Sequence, residues 1–382
     1  MTTTEDRPVA AAARSTGHRA PRLGRALAAG RPLGRGLHAA ARMLTTPLLP
    51  DDYADLIDPL ASRAQLRARI VSVLPETPDS VTLVLRPSRG WRTHVPGQYL
   101  RLGVDVDGVR QWRAYSLTSD PARRDGLISV TVRAIPDGKV STHLVRSARP
   151  GTLLHLAAAD GDFVLPTPAP QQLLFLTAGS GITPVMGMLR CLGPGSDVVL
   201  VHSAPVARDV IFAEELRQMA AAGRIRLVQR YTDTDGKLDP ADLDVLVPDW
   251  AQRQTWACGP IGLLDTAEMH WKRSGLARNL HVERFRPAVL AGDGEGGEVT
   301  FTTSGVTVES DGSTPLLDVG EEAGVLMPSG CRMGICFGCV VPLRSGVVRD
   351  LRNGDLTTAN EGDGILIQTC VSASAGACQI DL

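Results

Sequence analysis

Four cysteines carry the clearest chemistry in this 382-residue chain. Ser329-Gly330-Cys331-Arg332-Met333-Gly334-Ile335-Cys336-Phe337-Gly338-Cys339 spaces three of them as C-x4-C-x2-C, and Cys370 follows after 30 intervening residues in Gln368-Thr369-Cys370-Val371. Thiolates match iron well, and one loop that supplies three of them, with a fourth from a distance, suits a [2Fe-2S] cluster. Gly330, Gly334 and Gly338 let the backbone come close enough for main-chain N–H groups to point at the sulfides. The competing chemistry is a four-cysteine zinc site, which usually shows paired short C-x2-C spacings. Cys191 and Cys378 stand outside the pattern and read as small buried apolar residues.

At this point the last 85 residues resemble plant-type ferredoxins. The resemblance implies a β-grasp fold in which Cys331 and Cys336 hold the iron nearer the surface, and Cys339 and Cys370 the inner one.

A second constellation is Arg113-Ala114-Tyr115-Ser116-Leu117-Thr118-Ser119, at the end of a strand that begins near Gln111. An arginine for a diphosphate, an aromatic ring for a flat cofactor and a hydroxyl for a flavin nitrogen are the residue types such a site needs. Taken alone, Tyr115 reads equally as an ordinary strand aromatic. Pro96-Gly97-Gln98-Tyr99 upstream and Gly138-Lys139-Val140-Ser141-Thr142 downstream resemble flavin-barrel segments of the ferredoxin-NADP reductase superfamily. That resemblance implies that Arg113 and Ser141, with Thr142 beside it, hold the FAD pyrophosphate, that Tyr115 packs on the isoalloxazine, and that Ser116 faces its N5 edge. FMN stays open as the flavin.

Thr177-Ala178-Gly179-Ser180-Gly181-Ile182-Thr183-Pro184 lies between a predicted strand and a predicted helix. Gly179 and Gly181 permit a tight turn and a close approach to a pyrophosphate, and the helix start offers unpaired N–H groups. Trp256-Ala257-Cys258-Gly259-Pro260 closes a later strand. Both segments resemble the same superfamily, which implies that Thr183 and Cys258, with Gly259, flank the nicotinamide above the flavin. Cys258 reads otherwise as a buried strand-end thiol. His281-Val282-Glu283-Arg284-Phe285 resembles the closing strand, bringing Glu283 and Phe285 near the flavin. Arg208, after Val201-His202-Ser203-Ala204, suits a 2'-phosphate and favours NADPH over NADH. As a loop charge or as a partner of Asp209 it would carry no such meaning.

These residues need three scaffolds, and the chain exceeds the size at which a single core stops growing. Arg69 to Val73, Ser80 to Leu85 and Leu127 to Val132 alternate as short strands separated by Pro and Gly, which predicts an antiparallel barrel over 66–166. Leu173 to Thr177, a helix from Pro184 to Leu192, and Asp197 to Val201 predict a parallel α/β sheet over 167–287. A glycine-rich linker spans 288–297, and a small β-rich unit spans 298–382, with 11 Asp or Glu against four Arg. Residues 1–45 read as a disordered tail, followed by a lead-in at 46–65. Order is itself informative: this succession resembles single-chain reductases with a C-terminal ferredoxin domain, an NAD(P)H oxidoreductase class in which FAD converts hydride to single electrons.

A net charge of −1 gives no overall preference for nucleic acid or membrane. No apolar run approaches the roughly 20 residues of a membrane span. Seven cysteines, none of them before Cys191, suit a reducing cytoplasmic setting. Residues 1 to 50 hold eight Arg and no Lys, and Arg25, Arg31, Arg35 and Arg42 interleaved with leucines would suit peripheral contact with an anionic membrane at its inner face. Leu44 to Tyr53 with Ile57-Asp58-Pro59-Leu60 resembles the lead-in of actinobacterial reductases that serve membrane fatty-acyl desaturases. That implies a membrane-bound di-iron desaturase as the redox acceptor, the acidic C-terminal unit docking on a basic patch. A soluble oxygenase or a cytochrome P450 is the alternative acceptor. A zinc-bearing protein that binds a nucleotide without turning it over is the reading from another class.

Overall fold

The structure is a computed structural model that describes residues 58–61, 65–106, 108–136, 138–193, 195–285, 295–330, 332, 334 and 337–382. The tail, most of the lead-in, residues 288–294 of the linker, and Cys331 and Cys336 of the cysteine loop lie outside the described residues.

Alternating apolar runs become a six-stranded antiparallel sheet: β1 (Arg67–Thr77), β2 (Ser80–Pro87), β3 (Tyr99–Val106), β4 (Val109–Ser116), β5 (Ile128–Arg133) and β6 (Leu153–Leu156), with α1 (Lys139–Ser147) after β5. The strand order is β4-β3-β6-β1-β2-β5, and a bridge between Leu117 and Val130 ties the end of β4 back to β5, closing the barrel. Leu83, Leu100, Leu102 and Val130 fill its interior, and Val140 and Leu144 of α1 pack onto the same core. Burial of these side chains stabilises the barrel by about 1.5–3 kcal/mol each.

Next comes a five-stranded parallel sheet of β7 (Gln172–Ala178), β8 (Asp197–Ala204), β9 (Arg226–Tyr231), β10 (Gln254–Cys258) and β11 (Leu280–Glu283), ordered β11-β10-β7-β8-β9. Both faces are covered, so its strands are continuous apolar runs. Phe175, Leu200 and Trp256 face α2 (Ile182–Cys191) and α3 (Ala213–Ala221). Leu176, Val201 and Ala257 pack with Trp271 of α4 (Ile261–Arg273) on the other side. From β7 the chain winds outward through β8 and β9, then returns to build β10 and β11 on the opposite flank. The β7/β10 boundary is therefore the topological switch point, where open α/β sheets bind ligands. Helix α2 starts at Ile182, two residues before the sequence-based bound, because Pro184 is tolerated in a first helical turn.

The C-terminal unit is a mixed sheet of β12 (Gly297–Phe301), β13 (Val306–Ser310), β14 (Val340–Asp350), β15 (Leu356–Ala359), β16 (Ile365–Gln368) and β17 (Ser372–Ile380), with α5 (Leu316–Glu322) between β13 and β14. Parallel β12 and β17 at its centre, antiparallel neighbours and one covering helix form a β-grasp sheet. Leu316, Leu317, Phe301 and Val371 share its core. Gly297 already pairs with Ser310, so the strand begins one residue inside the stretch read as linker.

Candidate redox site

The switch point gathers the residues expected to meet a dinucleotide. Gly179 turns the chain at φ 54°, and Gly181 sits so close to β10 that a Cβ there would lie 2.0 Å from the Cys258 carbonyl oxygen. Glycine is the residue that lets the β7 turn and the β10 end meet. Gly259 follows Cys258 at that same end. Thr183 is buried in the first turn of α2 and donates to the Ser180 carbonyl at 3.0 Å.

Sheet register aligns a polar row at the carboxyl ends of the strands. Cys258 lies beside Glu283 on β11 and beside Thr177 on β7, and Thr177 lies beside His202 on β8. Thr177 Oγ1 and His202 Nδ1 are 2.8 Å apart. Burial drives the His202 pKa down to about 4, so its ring is neutral at ordinary pH. Burial, and then the charge of Glu283, push the Cys258 thiol well up. Cys258 is thus a thiol and not a thiolate nucleophile.

Burial also raises Glu283 to about 8, and its Oε2 finds no hydrogen-bond partner among the described residues. Phe285 stands two residues past the end of β11 and packs against the α2 face of the sheet. The folded Glu283 value lies above the usual 4.5, so between pH 4.5 and 8 the folded state holds the proton more tightly, and rising pH across that window removes stability. Glu283→Gln escapes that loss. Thermal unfolding of the two proteins should show the variant's advantage widening by several degrees from pH 5 to pH 9; an equal gap at both pH values would refute the assignment.

In the barrel, Arg113, Tyr115 and Ser116 occupy the last four positions of β4 as the sequence placed them. The Ser116 hydroxyl is buried and has no hydrogen-bond partner among the described residues, which suits pairing with a cofactor atom. Arg113 donates to the Trp112 carbonyl and to Gln111 Oε1. Burial, and then the positive charge of Arg332, hold its guanidinium below the usual value. For the Arg332 charge to be felt at Arg113, the start of the cysteine loop must lie near the flavin strand. Ser141 and Thr142 lie in the first turn of α1, where Ser141 Oγ donates to the Gly138 carbonyl at 3.2 Å.

Of the four cysteines in the C-x4-C-x2-C pattern and its distant partner, Cys339 and Cys370 are described. Both are buried, and their sulfurs lie 3.2 Å apart, beyond the disulfide length of about 2.04 Å and close enough for one metal to take both. Arg332 holds φ 58° and pairs with Asp318 and Glu321 of α5, bracing the loop against that helix. Cys378 is buried as expected, with its thiol raised to about 11. Cys191 departs from the apolar reading: it is half-buried at the end of α2, and its thiol points to Asp120 Oδ1 at 3.5 Å. Arg208 is 81% exposed and 3.9 Å from Asp209, which leaves it open to solvent after β8.

His202 and Arg332 had no role in the sequence-based expectations. A histidine inside an otherwise apolar parallel strand, and an arginine within a cysteine loop upstream of which Asp318, Glu321 and Glu322 cluster, were the available signals.

A barrel, a parallel sheet with a glycine turn at its switch point, and a β-grasp unit with paired buried thiols define a modular electron-transfer flavoprotein. Family models match in the same order: an oxidoreductase FAD-binding domain over residues 84–165 and a 2Fe-2S iron-sulfur cluster binding domain over residues 299–375. The chain is 50% identical over 358 residues to the NADPH oxidoreductase of Mycobacterium tuberculosis, covering 92% of this chain and 93% of that protein. It is 32% identical to the 3-ketosteroid-9-alpha-monooxygenase ferredoxin reductase component of Mycolicibacterium smegmatis, over 81% and 94% of the two chains. Phthalate dioxygenase reductase shares the fold, with TM-score 0.58 at 22% identity over 83% of this chain and 97% of that one. The chain belongs to the same oxidoreductase family as the M. tuberculosis NADPH oxidoreductase, with an FAD-binding domain and a C-terminal 2Fe-2S domain.

Proposed function

We propose that this reductase takes hydride from NADPH and delivers single electrons to an oxygen-activating acceptor, a membrane di-iron acyl desaturase. The observation that carries the electron chain is the joining, in one chain and in this order, of a FAD-binding domain, a sheet with a dinucleotide turn and a [2Fe-2S] domain. FAD supplies the conversion of one two-electron donor into single electrons, and the cluster supplies their exit.

Each residue then has a task. Arg113 and Ser141, with Thr142, hold the flavin diphosphate; Tyr115 covers the ring; Ser116 offers its unpaired hydroxyl to the N5 edge. Gly179 and Gly181 admit the dinucleotide pyrophosphate, while Thr183, Cys258 and Gly259 shape the nicotinamide slot. Glu283 keeps its proton near neutral pH and closes that slot together with Phe285. Cys331, Cys336, Cys339 and Cys370 hold the cluster. The exposure of Arg208 suits a 2'-phosphate, and the name of the M. tuberculosis relative supports NADPH.

The desaturase rests on the lead-in resemblance and on the acidic C-terminal unit, with the protein working in the cytoplasm against the inner membrane face. No described helix is long and apolar enough to cross a membrane. Soluble oxygenases are the second reading, favoured by relatives named as monooxygenase reductases, such as the glycine betaine monooxygenase reductase subunit of Chromohalobacter salexigens at 30% identity. Purified reductase and NADPH added to membranes bearing a di-iron desaturase should desaturate acyl-CoA. If another reductase supports the reaction and this one does not, the desaturase reading falls.

A further inference from the structure

The barrel and the parallel sheet are fastened by residues that belong to neither cofactor set. Phe212, which precedes α3, holds φ 60° and ψ 25°, a left-handed conformation that is strained for a bulky side chain. Its ring is buried. Its N–H, left unpaired by the helix start, donates at 3.1 Å to Oε2 of Glu76 on barrel strand β1. The other Glu76 oxygen accepts from Thr82 Oγ1 at 2.6 Å. Arg190, in the last turn of α2, lies over the Phe212 ring at 5.1 Å and makes two hydrogen bonds to Glu215 of α3. Its remaining nitrogen donates to the Thr118 carbonyl, two residues beyond Ser116. Between them, a Cβ on Gly187 would come within 2.5 Å of the Leu117 carbonyl, so α2 lies directly on this part of the barrel chain.

One rigid helix therefore begins at the dinucleotide turn and ends bolted to the chain that carries Arg113, Tyr115 and Ser116. We infer that Glu76 and Arg190 are positioning residues for hydride transfer, the Glu76–Phe212–Arg190–Thr118 clasp fixing the nicotinamide slot at its distance from the flavin strand. The inference rests on the hydride-transfer reading above. The step it governs moves one hydride, a proton with two electrons, from nicotinamide carbon 4 to flavin nitrogen 5, so the nicotinamide is oxidised and the flavin reduced. Reacting atoms must come within about 3–3.5 Å, and a displacement of about 1 Å costs on the order of a hundredfold. A local strain at Phe212, held by a carboxylate from the other domain, is what such a fixed distance requires.

Anaerobic rapid mixing of FAD-loaded protein with NADPH tests this. Glu76→Ala and Arg190→Ala should slow flavin bleaching at saturating NADPH by roughly 10- to 100-fold and weaken the long-wavelength nicotinamide–flavin charge-transfer band. NADPH affinity should stay within a few-fold of wild type. Glu76→Gln should restore both signals, because its amide oxygen still accepts from the Phe212 N–H. Arg190→Lys, which keeps a donor and loses the two-point contact with Glu215, should fall between and serves where the alanine variant does not fold. Flavin-loaded variants that bleach at the wild-type rate with an unchanged band, losing only thermal stability, would overturn the clasp. Wild-type protein that NADPH cannot reduce would sink the hydride reading, and the clasp with it.

Discussion

Cys339→Ser should yield a protein that NADPH still reduces at the flavin but that no longer passes electrons to a one-electron protein acceptor. Cys339 is buried, and its sulfur is 3.2 Å from that of Cys370, which suits the inner-iron ligand the proposed function makes of it. A serine hydroxyl is a poor match for iron beside thiolates, and cluster binding contributes directly to the folding of a small metal-bearing domain. The visible cluster bands and bound iron should be lost and acceptor reduction should drop to background, while ferricyanide, which can draw electrons directly from flavin, is still reduced. The C-terminal unit should melt earlier than in the wild type. A variant that retained iron and full transfer to a protein acceptor would show that Cys339 is no ligand.

Gly181→Ala attacks the other end of the chain of transfer. Its new methyl would sit 2.0 Å from the Cys258 carbonyl oxygen and 2.8 Å from the Gly259 nitrogen, all backbone atoms that no rotamer change can clear. Either α2 withdraws from β10 or the two strand ends part; overpacking of this kind costs about 1–3 kcal/mol. The proposed function puts the nicotinamide slot at that junction, so the KM for NADPH should rise by about tenfold or more and flavin bleaching should slow, given how steeply rate falls with misplacement. FAD content and the cluster bands should be unchanged, since Arg113 and Cys339 lie in other domains. Wild-type kinetics for NADPH in this variant would mean that the close approach of β7 and β10 is not part of the binding site.

Local patterns were the most legible part of the sequence. Alternation over Ser80 to Leu85 and apolar continuity over Leu173 to Thr177 each specify a strand, and β2 and β7 follow with bounds shifted by one or two residues. The Arg-x-Tyr-Ser run and the glycine turn were readable because their chemistry sits on consecutive residues. Relations across the sheet were not. That Cys258, Glu283, Thr177 and His202 form one row depends on a parallel register between strands whose partners, such as Thr177 and Cys258, lie far apart in sequence, which no local period encodes. Glu76 and Phe212 are separated by 136 residues, and nothing local marks Glu76, because its partner is a backbone N–H with no side-chain signature. The αL conformation of Phe212 is likewise a product of tertiary packing, contrary to the local preference of the residue.

The measurement closest to the central claim is an anaerobic absorbance titration of the intact protein with NADPH, run beside one with NADH. The account predicts that flavin and cluster bands bleach together as stoichiometric NADPH is added, with NADH less effective. A protein that remains colourless after reconstitution with FAD, iron and sulfide, or a flavin that bleaches while the cluster stays oxidised, would contradict an internal path from nicotinamide to cluster.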